Sequence, residues 1–373
     1  MPFNPLHDKT LPVTSLRSGD GHEVLDDVYC LPVQIVNVYF VGSPASPEDW
    51  VLVDAGMPKS EDTIRKAAEQ RFGEGVPPRA IVLTHGHFDH VGAVVELAQH
   101  WNVPVYVHAD ELPFVTGQKA YPKPDPSVGG GMVARVSPFF PTEPVDLGEY
   151  VRALPDDGTI AELPGWRWVA TPGHTQGHVS LFRQADRALI AGDAFVTVQQ
   201  ESLYKVFTQQ REISGPPRYL TEDWPQAKAS VERLAALEPS VAMTGHGMAM
   251  GGDELRERHG LVAELGFRDK MIEEPDAICF FRFHDTGRKQ QLFCHRPTDL
   301  IGQSPGAVYA SVGGSQKSEL RFFATDSHIE RRGQDCAAAI CQAVHHSDRG
   351  LLRRADLIGT AHINVAFGVE FFL

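Results

Sequence analysis

The chain has 373 residues, 42% of them hydrophobic and 22% charged, with a formal net charge of −14. The acidic balance argues against a nucleic-acid groove, which needs a basic face. Five cysteines without paired spacing fit reduced thiols better than a disulfide framework. No apolar run is long enough to span a bilayer, and no charged-then-apolar leader opens the chain, so a soluble cytoplasmic protein without membrane contact is expected. The length suits two domains, or one large domain with an appendage.

Residues 1–27 are polar and contain proline, which predicts an N-terminal surface arm. A β-rich run over 33–41 and a second strand over 50–53 flank the turn-forming stretch 42–47, so a hairpin is expected. Ser60 is placed to cap a helix over 61–72 that ends at Gly73. A buried strand over 80–83 follows, then Thr84-His85-Gly86-His87-Phe88-Asp89-His90, then a run with helical spacing from Val91 to Ala98. Three histidines and an aspartate therefore sit on a strand-to-helix turn, where side chains can converge on one point. A capping turn would account for Asp89 alone but not for three imidazoles. Imidazole and carboxylate together suit zinc, manganese or iron. His85 and His87 could grip one ion, with Asp89 and His90 reaching a second.

A short strand is expected over 103–107. Residues 117–148 hold six prolines and Gly129-Gly130-Gly131, which a helix or central strand does not absorb. A long irregular insertion of this kind serves as a lid, as a substrate wall or as plain surface. Residues 166–170 alternate as a strand and lead into Pro172-Gly173-His174-Thr175-Gln176-Gly177-His178. Strands over 179–182 and 188–191 follow, the latter ending at Gly192-Asp193. A helix is expected over 223–237, a strand over 240–243 ending at Gly245-His246, and a further helix from Asp253 to about residue 270. The turns at 84–90, 171–174, 192–193 and 244–247 each follow an apolar strand. Strand ends gathered along one edge of a sheet sandwich would unite His85, His87, Asp89, His90, His174, Asp193 and His246. Seven N/O ligands are what two ions bridged by one carboxylate require.

Composition shifts near residue 274. Residues 274–373 hold 11 Lys/Arg and 11 Asp/Glu, so the whole −14 lies before them. They also hold Cys279, Cys294, Cys336 and Cys341. We therefore expect a domain over 28–273 and a C-terminal extension over 274–373 of unassigned structure. The spacing of Cys279, Cys294 and His295 is not a zinc pattern.

Asp54-Ala55-Gly56, the His85–His90 motif, Pro172-Gly173-His174-Thr175, Gly192-Asp193 and Gly245-His246, in that order, resemble the metallo-β-lactamase superfamily over about residues 28–270. The resemblance implies an α+β fold, an αββα sandwich of two packed sheets with helices on both outer faces. It implies one metal on His85, His87 and His174, a second on Asp89, His90 and His246, and Asp193 bridging them. Asp54 and His178 would lie behind the ligands, and Asp89 would double as the catalytic proton shuttle. A bridging Asp193 favours the glyoxalase-II-like and lactonase-like branches. The activity implied is a hydrolase that turns metal-activated hydroxide on a small ester, thioester or lactone. The cofactors implied are two divalent ions, zinc before iron or manganese. A persulfide-dioxygenase-like enzyme with one iron, or a non-catalytic member of the fold, are the alternative readings. The expected partner is a small-molecule substrate.

Overall fold

The computed structural model describes residues 1–255, apart from 12, 129, 130 and 253, and beyond them the backbone of strands between residues 280 and 372. The chain forms two compact units, Met1–Arg268 and Asp269–Leu373. The expected boundary at 273/274 and the helix expected from Asp253 lie outside the described residues.

The first unit holds two sheets. Strands β1 (His22–Leu25), β2 (Val28–Val33), β3 (Val36–Val41), β4 (Val51–Val53), β5 (Ala80–Val82), β6 (Val105–Val107) and β7 (Val151–Ala153) form a seven-stranded sheet in chain order. β1 to β4 run antiparallel, and β4 to β7 run parallel. Strands β8 (Trp166–Ala170), β9 (Val179–Arg183), β10 (Ala188–Gly192), β11 (Val241–Thr244) and β12 (Met250–Gly251) form the second sheet, ordered β12-β11-β10-β9-β8. The helices are α1 (Glu61–Phe72), α2 (Val94–Trp101), α3 (Leu112–Val115), α4 (Met132–Val136), α5 (Leu203–Thr208) and α6 (Trp224–Ala236). Parallel neighbours need a crossover, and α1 supplies it between β4 and β5, α2 between β5 and β6, and α6 between β10 and β11.

The side-chain period of two sorts each strand between layers. Val51, Val53, Val82, Tyr39 and Val41 point from the first sheet into a middle layer, where they meet Leu181, Ala188, Ile190 and Met243 of the second. Their alternates Leu52, Ile81, Val38 and Phe40 face outward onto Ile64, Ala68 and Phe72 of α1 and Val94, Val95, Leu97 and Ala98 of α2. Phe182, Leu189 and Ala242 face the other way, onto Ala227, Val231 and Leu234 of α6. The result is the expected αββα sandwich, with each fully buried aliphatic side chain contributing about 1.5–3 kcal/mol.

Several local expectations are corrected. The run over 33–41 is not one strand, because Gln34 takes φ 57 and turns the chain between β2 and β3. The N-terminal arm is not wholly superficial, since it supplies β1 and the fully buried Leu6. Ser60 occupies the position before α1 but makes no side-chain cap, and its hydroxyl donates to Met57 O at 2.6 Å instead. The proline-rich insertion does hold a helix, the five-residue α4, followed by a 3₁₀ turn over Ser137–Phe139. Pro138 fits that turn because its missing N–H falls among donors that lack an internal partner anyway.

Helix α6 is capped by its side chain. Asp223 accepts from Gln226 N at 2.9 Å. Asp223→Ala is expected to lower stability by about 1 kcal/mol, read as a lower urea midpoint with an unchanged slope.

Candidate metal centre

Each site residue follows the C-terminal end of a strand. The turn after β5 carries His85, His87, Asp89 and His90. The loop after β8 carries His174, β10 runs into Asp193, and β11 runs into His246. Parallel pairing of β10 with β11 sends their two ends the same way. All seven residues are buried, none more than 4% exposed. Their potential ligand atoms gather into three overlapping groups: His85 with His87 and His174, His85 with His90 and Asp193, and Asp89 with His90 and His246. The donors of each group lie within 4.8 Å of one another.

Asp193 is central. Its Oδ2 lies 3.2 Å from His246 Nε2, 3.5 Å from His174 Nε2 and 3.6 Å from His90 Nε2. Asp89 Oδ2 stands 3.4 Å from His246 Nε2, and His87 Nδ1 stands 3.0 Å from His174 Nε2.

Four rings are held from behind through Nδ1. His85 meets Thr84 Oγ1 at 3.1 Å, His90 meets Asp54 Oδ2 at 2.8 Å, His174 meets Thr221 Oγ1 at 3.2 Å, and His246 donates to Ile35 O at 2.8 Å. Fixing one ring nitrogen leaves the other to face the cluster, as metal-ligating histidines do. Asp54 itself adopts φ 60 and also accepts from Thr84 N at 2.8 Å, which locks strand end and ligand turn together. His178 also lies behind the cluster. Its Nε2 accepts from Asp193 N at 2.9 Å, and its Nδ1 meets Thr171 Oγ1 at 2.8 Å.

The electrostatics divide the cluster. Burial, and then neighbouring imidazoles, hold His85 and His174 well below the usual histidine range. Burial also lowers His87, to about 4. These shifts favour the neutral imidazole, the form that binds a metal. Burial acts the same way on His90 and His246, but the nearby carboxylates outweigh it and raise both. For His90 the carboxylates are those of Asp54, Asp193 and Asp89; for His246 they are Asp193 and Asp89. Burial would raise Asp89 and Asp193, yet His90 and His246 hold both below the ordinary carboxylate range. The carboxylates thus favour positive charge in a buried site.

A divalent metal fits this donor set. His85 Nε2, His90 Nε2, Asp89 Oδ1 and Asp193 Oδ1 are buried without a hydrogen-bond partner. Such orphaned atoms carry a desolvation cost of about 1–3 kcal/mol each unless something engages them.

Sequence reasoning passed over Glu111, Tyr121 and Asn37. Asn37 Nδ2 donates to Thr244 O at 2.9 Å and to Gly247 O at 2.6 Å, bracketing His246 from β3. Glu111 follows β6 just as the ligand turns follow their own strands. Its place after a strand was the signal the sequence offered, a weak one without a glycine in the turn. The cysteine and histidine considered at 279, 294 and 295 lie beyond the residues whose side chains are described.

A sequence profile of the metallo-beta-lactamase superfamily matches residues 31–246. The chain belongs to the metallo-beta-lactamase superfamily. Its relatives include the probable metallo-hydrolase YflN of Bacillus subtilis, 50% identical over 251 residues that cover 67% of this chain and 95% of that one. The hydroxyacylglutathione hydrolase GloC of Haemophilus influenzae is 27% identical over 117 residues, covering 31% of this chain and 49% of that one. A solved B3 metallo-beta-lactamase with an active-site glutamic acid shares the fold, with TM-score 0.50 and 18% identity over 73% of this chain and 98% of that one. Among the described residues no helix is long and apolar enough to cross a membrane.

Proposed function

We propose that this superfamily member is a hydrolase that uses two divalent metal ions, zinc in the first instance, to cleave a small ester, thioester or lactone. The observation that carries the reading is the position of Asp193 Oδ2, between 3.2 and 3.6 Å from imidazole nitrogens of His246, His174 and His90. One carboxylate placed among the two ligand groups suits a bridge. His85, His87 and His174 would hold one ion, and Asp89, His90 and His246 the other. The relative named hydroxyacylglutathione hydrolase supports an acyl-bearing substrate.

When bound, such ions supply Lewis acidity and a water acidic enough to attack near neutral pH. The chain's own residues do the rest. Asp89 Oδ1 is buried and unpartnered, placed to take the proton that the attacking water gives up and to return it to the leaving group. Asp54, Thr84 and Ile35 O keep the imidazoles from rotating, so the ligands need no rearrangement during turnover. Burial of the cluster keeps bulk water away from the developing charge.

Elemental analysis with a panel of esters, thioesters and lactones tests this. The expected result is two ions per chain and hydrolysis of at least one substrate, lost on chelation and restored by zinc. One iron per chain with oxygen consumption on a sulfur compound would overturn it.

A further inference from the structure

We propose that Glu111, with Tyr121, is a positioning unit that sets the His85/His87/His174 metal position; this rests on the reading of those histidines as ligands. Glu111 is fully buried between the two ligand loops. Its Oε2 accepts from Gly86 N at 3.0 Å and from the Tyr121 hydroxyl. Its Oε1 accepts from Thr175 Oγ1 at 2.7 Å and from Gly177 N at 3.0 Å. Gly86 lies between His85 and His87, and Thr175 follows His174. One carboxylate therefore ties the turn after β5, on the first sheet, to the loop after β8, on the second.

Tyr121 extends the unit. Its hydroxyl also accepts from Gly86 N at 3.1 Å. Its ring lies 4.4 Å from the His87 ring and stacks on Phe114 at 4.0 Å. This gives part of the proline-rich insertion a defined task, which is to wedge His87 against His174. The approach is close enough to restrict the neighbours. A Cβ on Gly177 would lie 2.7 Å from Glu111 Cγ and 2.9 Å from its backbone N, and one on Gly86 would lie 2.8 Å from the Tyr121 hydroxyl.

The geometry makes the effect selective. Asp89, His90 and His246 are held by other groups, Asp54 and Ile35 O among them, and no described hydrogen bond links them to Glu111. Each Glu111 oxygen faces one backbone N–H, which can only donate, beside one hydroxyl. An amide of the same shape would turn an NH₂ toward one of those two N–H groups. Glu111→Gln should thus disturb the loops although it fills the same space.

The test titrates zinc into the metal-free full chain, wild type first, then Glu111→Gln and Tyr121→Phe, by competition with a chromophoric chelator. Cobalt absorption spectra and metal-free melting temperatures are recorded alongside. In the wild type two ions are expected. In Glu111→Gln one of the two affinities should fall about 10- to 100-fold, the range typical for groups that orient ligands, with an altered cobalt spectrum and the other affinity unchanged. Tyr121→Phe should weaken the same position by less, since Gly86 N keeps Glu111. Unchanged affinities, or equal loss at both positions, would overturn the proposal while leaving the dinuclear reading intact. If Glu111→Gln does not fold, Tyr121→Phe decides alone: selective weakening supports the proposal and none overturns it. A wild-type chain that binds no ion overturns the functional reading, and this inference with it.

Discussion

Asp193→Ala is expected to strip the chain of bound metal and of turnover together. The Asp193 carboxylate approaches imidazoles from both ligand groups, His174 on one side and His90 and His246 on the other. Removing it leaves Asp89 as the remaining carboxylate among the proposed ligands, so the charge of two divalent ions is largely uncompensated in a buried site. Changing a group that only orients a ligand costs about 10- to 100-fold in affinity or activity, and loss of a direct ligand to both ions should exceed that. Asp193→Asn keeps the shape but removes the charge, and its loss should be smaller. Elemental analysis and kcat/KM on whichever substrate the panel yields provide the check. An alanine variant that keeps two ions and full activity would show that Asp193 bridges nothing.

Gly245→Ala should be nearly as damaging, through sterics alone. A Cβ at that position would lie 2.0 Å from Asp193 Oδ1 and 2.8 Å from His90 Cε1. The backbone of Gly245 does not take a positive φ, so alanine brings no dihedral strain there. The side chain of Asp193 is the element that can yield, and in yielding it leaves its place among the imidazoles. We expect a folded protein with near wild-type circular dichroism, metal content well below that of the wild type and at least a tenfold loss of kcat/KM, about 1.4 kcal/mol or more. Retention of both ions would mean that the carboxylate has room to move without losing its function.

The parts of this site that were legible in the sequence share one property. Their chemistry is concentrated locally and each follows an apolar strand. His85, His87, Asp89 and His90 could be read from six consecutive positions, and His174, Asp193 and His246 from the ends of short apolar strands. Glu111 and Asn37 were passed over, because the backbone atoms they hydrogen-bond lie between 25 and 210 residues away along the chain. An isolated carboxylate in His108-Ala109-Asp110-Glu111 looks like any charged turn. The β2–β3 break escaped notice because Gln34, which adopts a left-handed conformation, is neither glycine nor asparagine. Strand β7 escaped because its residues are half-buried or exposed, as suits a sheet edge, and carry little hydrophobic signal. Ser60 had the right residue type for a cap, but the turn before α1 offered its hydroxyl a nearer acceptor in Met57 O.

The split of the seven side chains between the two sheets has a consequence for how the protein ages in solution. The first sheet presents His85, His87, Asp89 and His90, and the second presents His174, Asp193 and His246. Whatever engages both sets acts as a clasp, and its binding free energy opposes the parting of the layers. At a free concentration a hundredfold above Kd, that linkage is worth about 2.7 kcal/mol. Chelation undoes the clasp while every covalent bond and strand pairing remains. The surface that opening would wet first is the aliphatic middle layer of Val53, Val82, Ile190 and Met243, the kind of surface on which chains coalesce. Depletion of metal would then surface as turbidity on storage, before any loss of secondary structure.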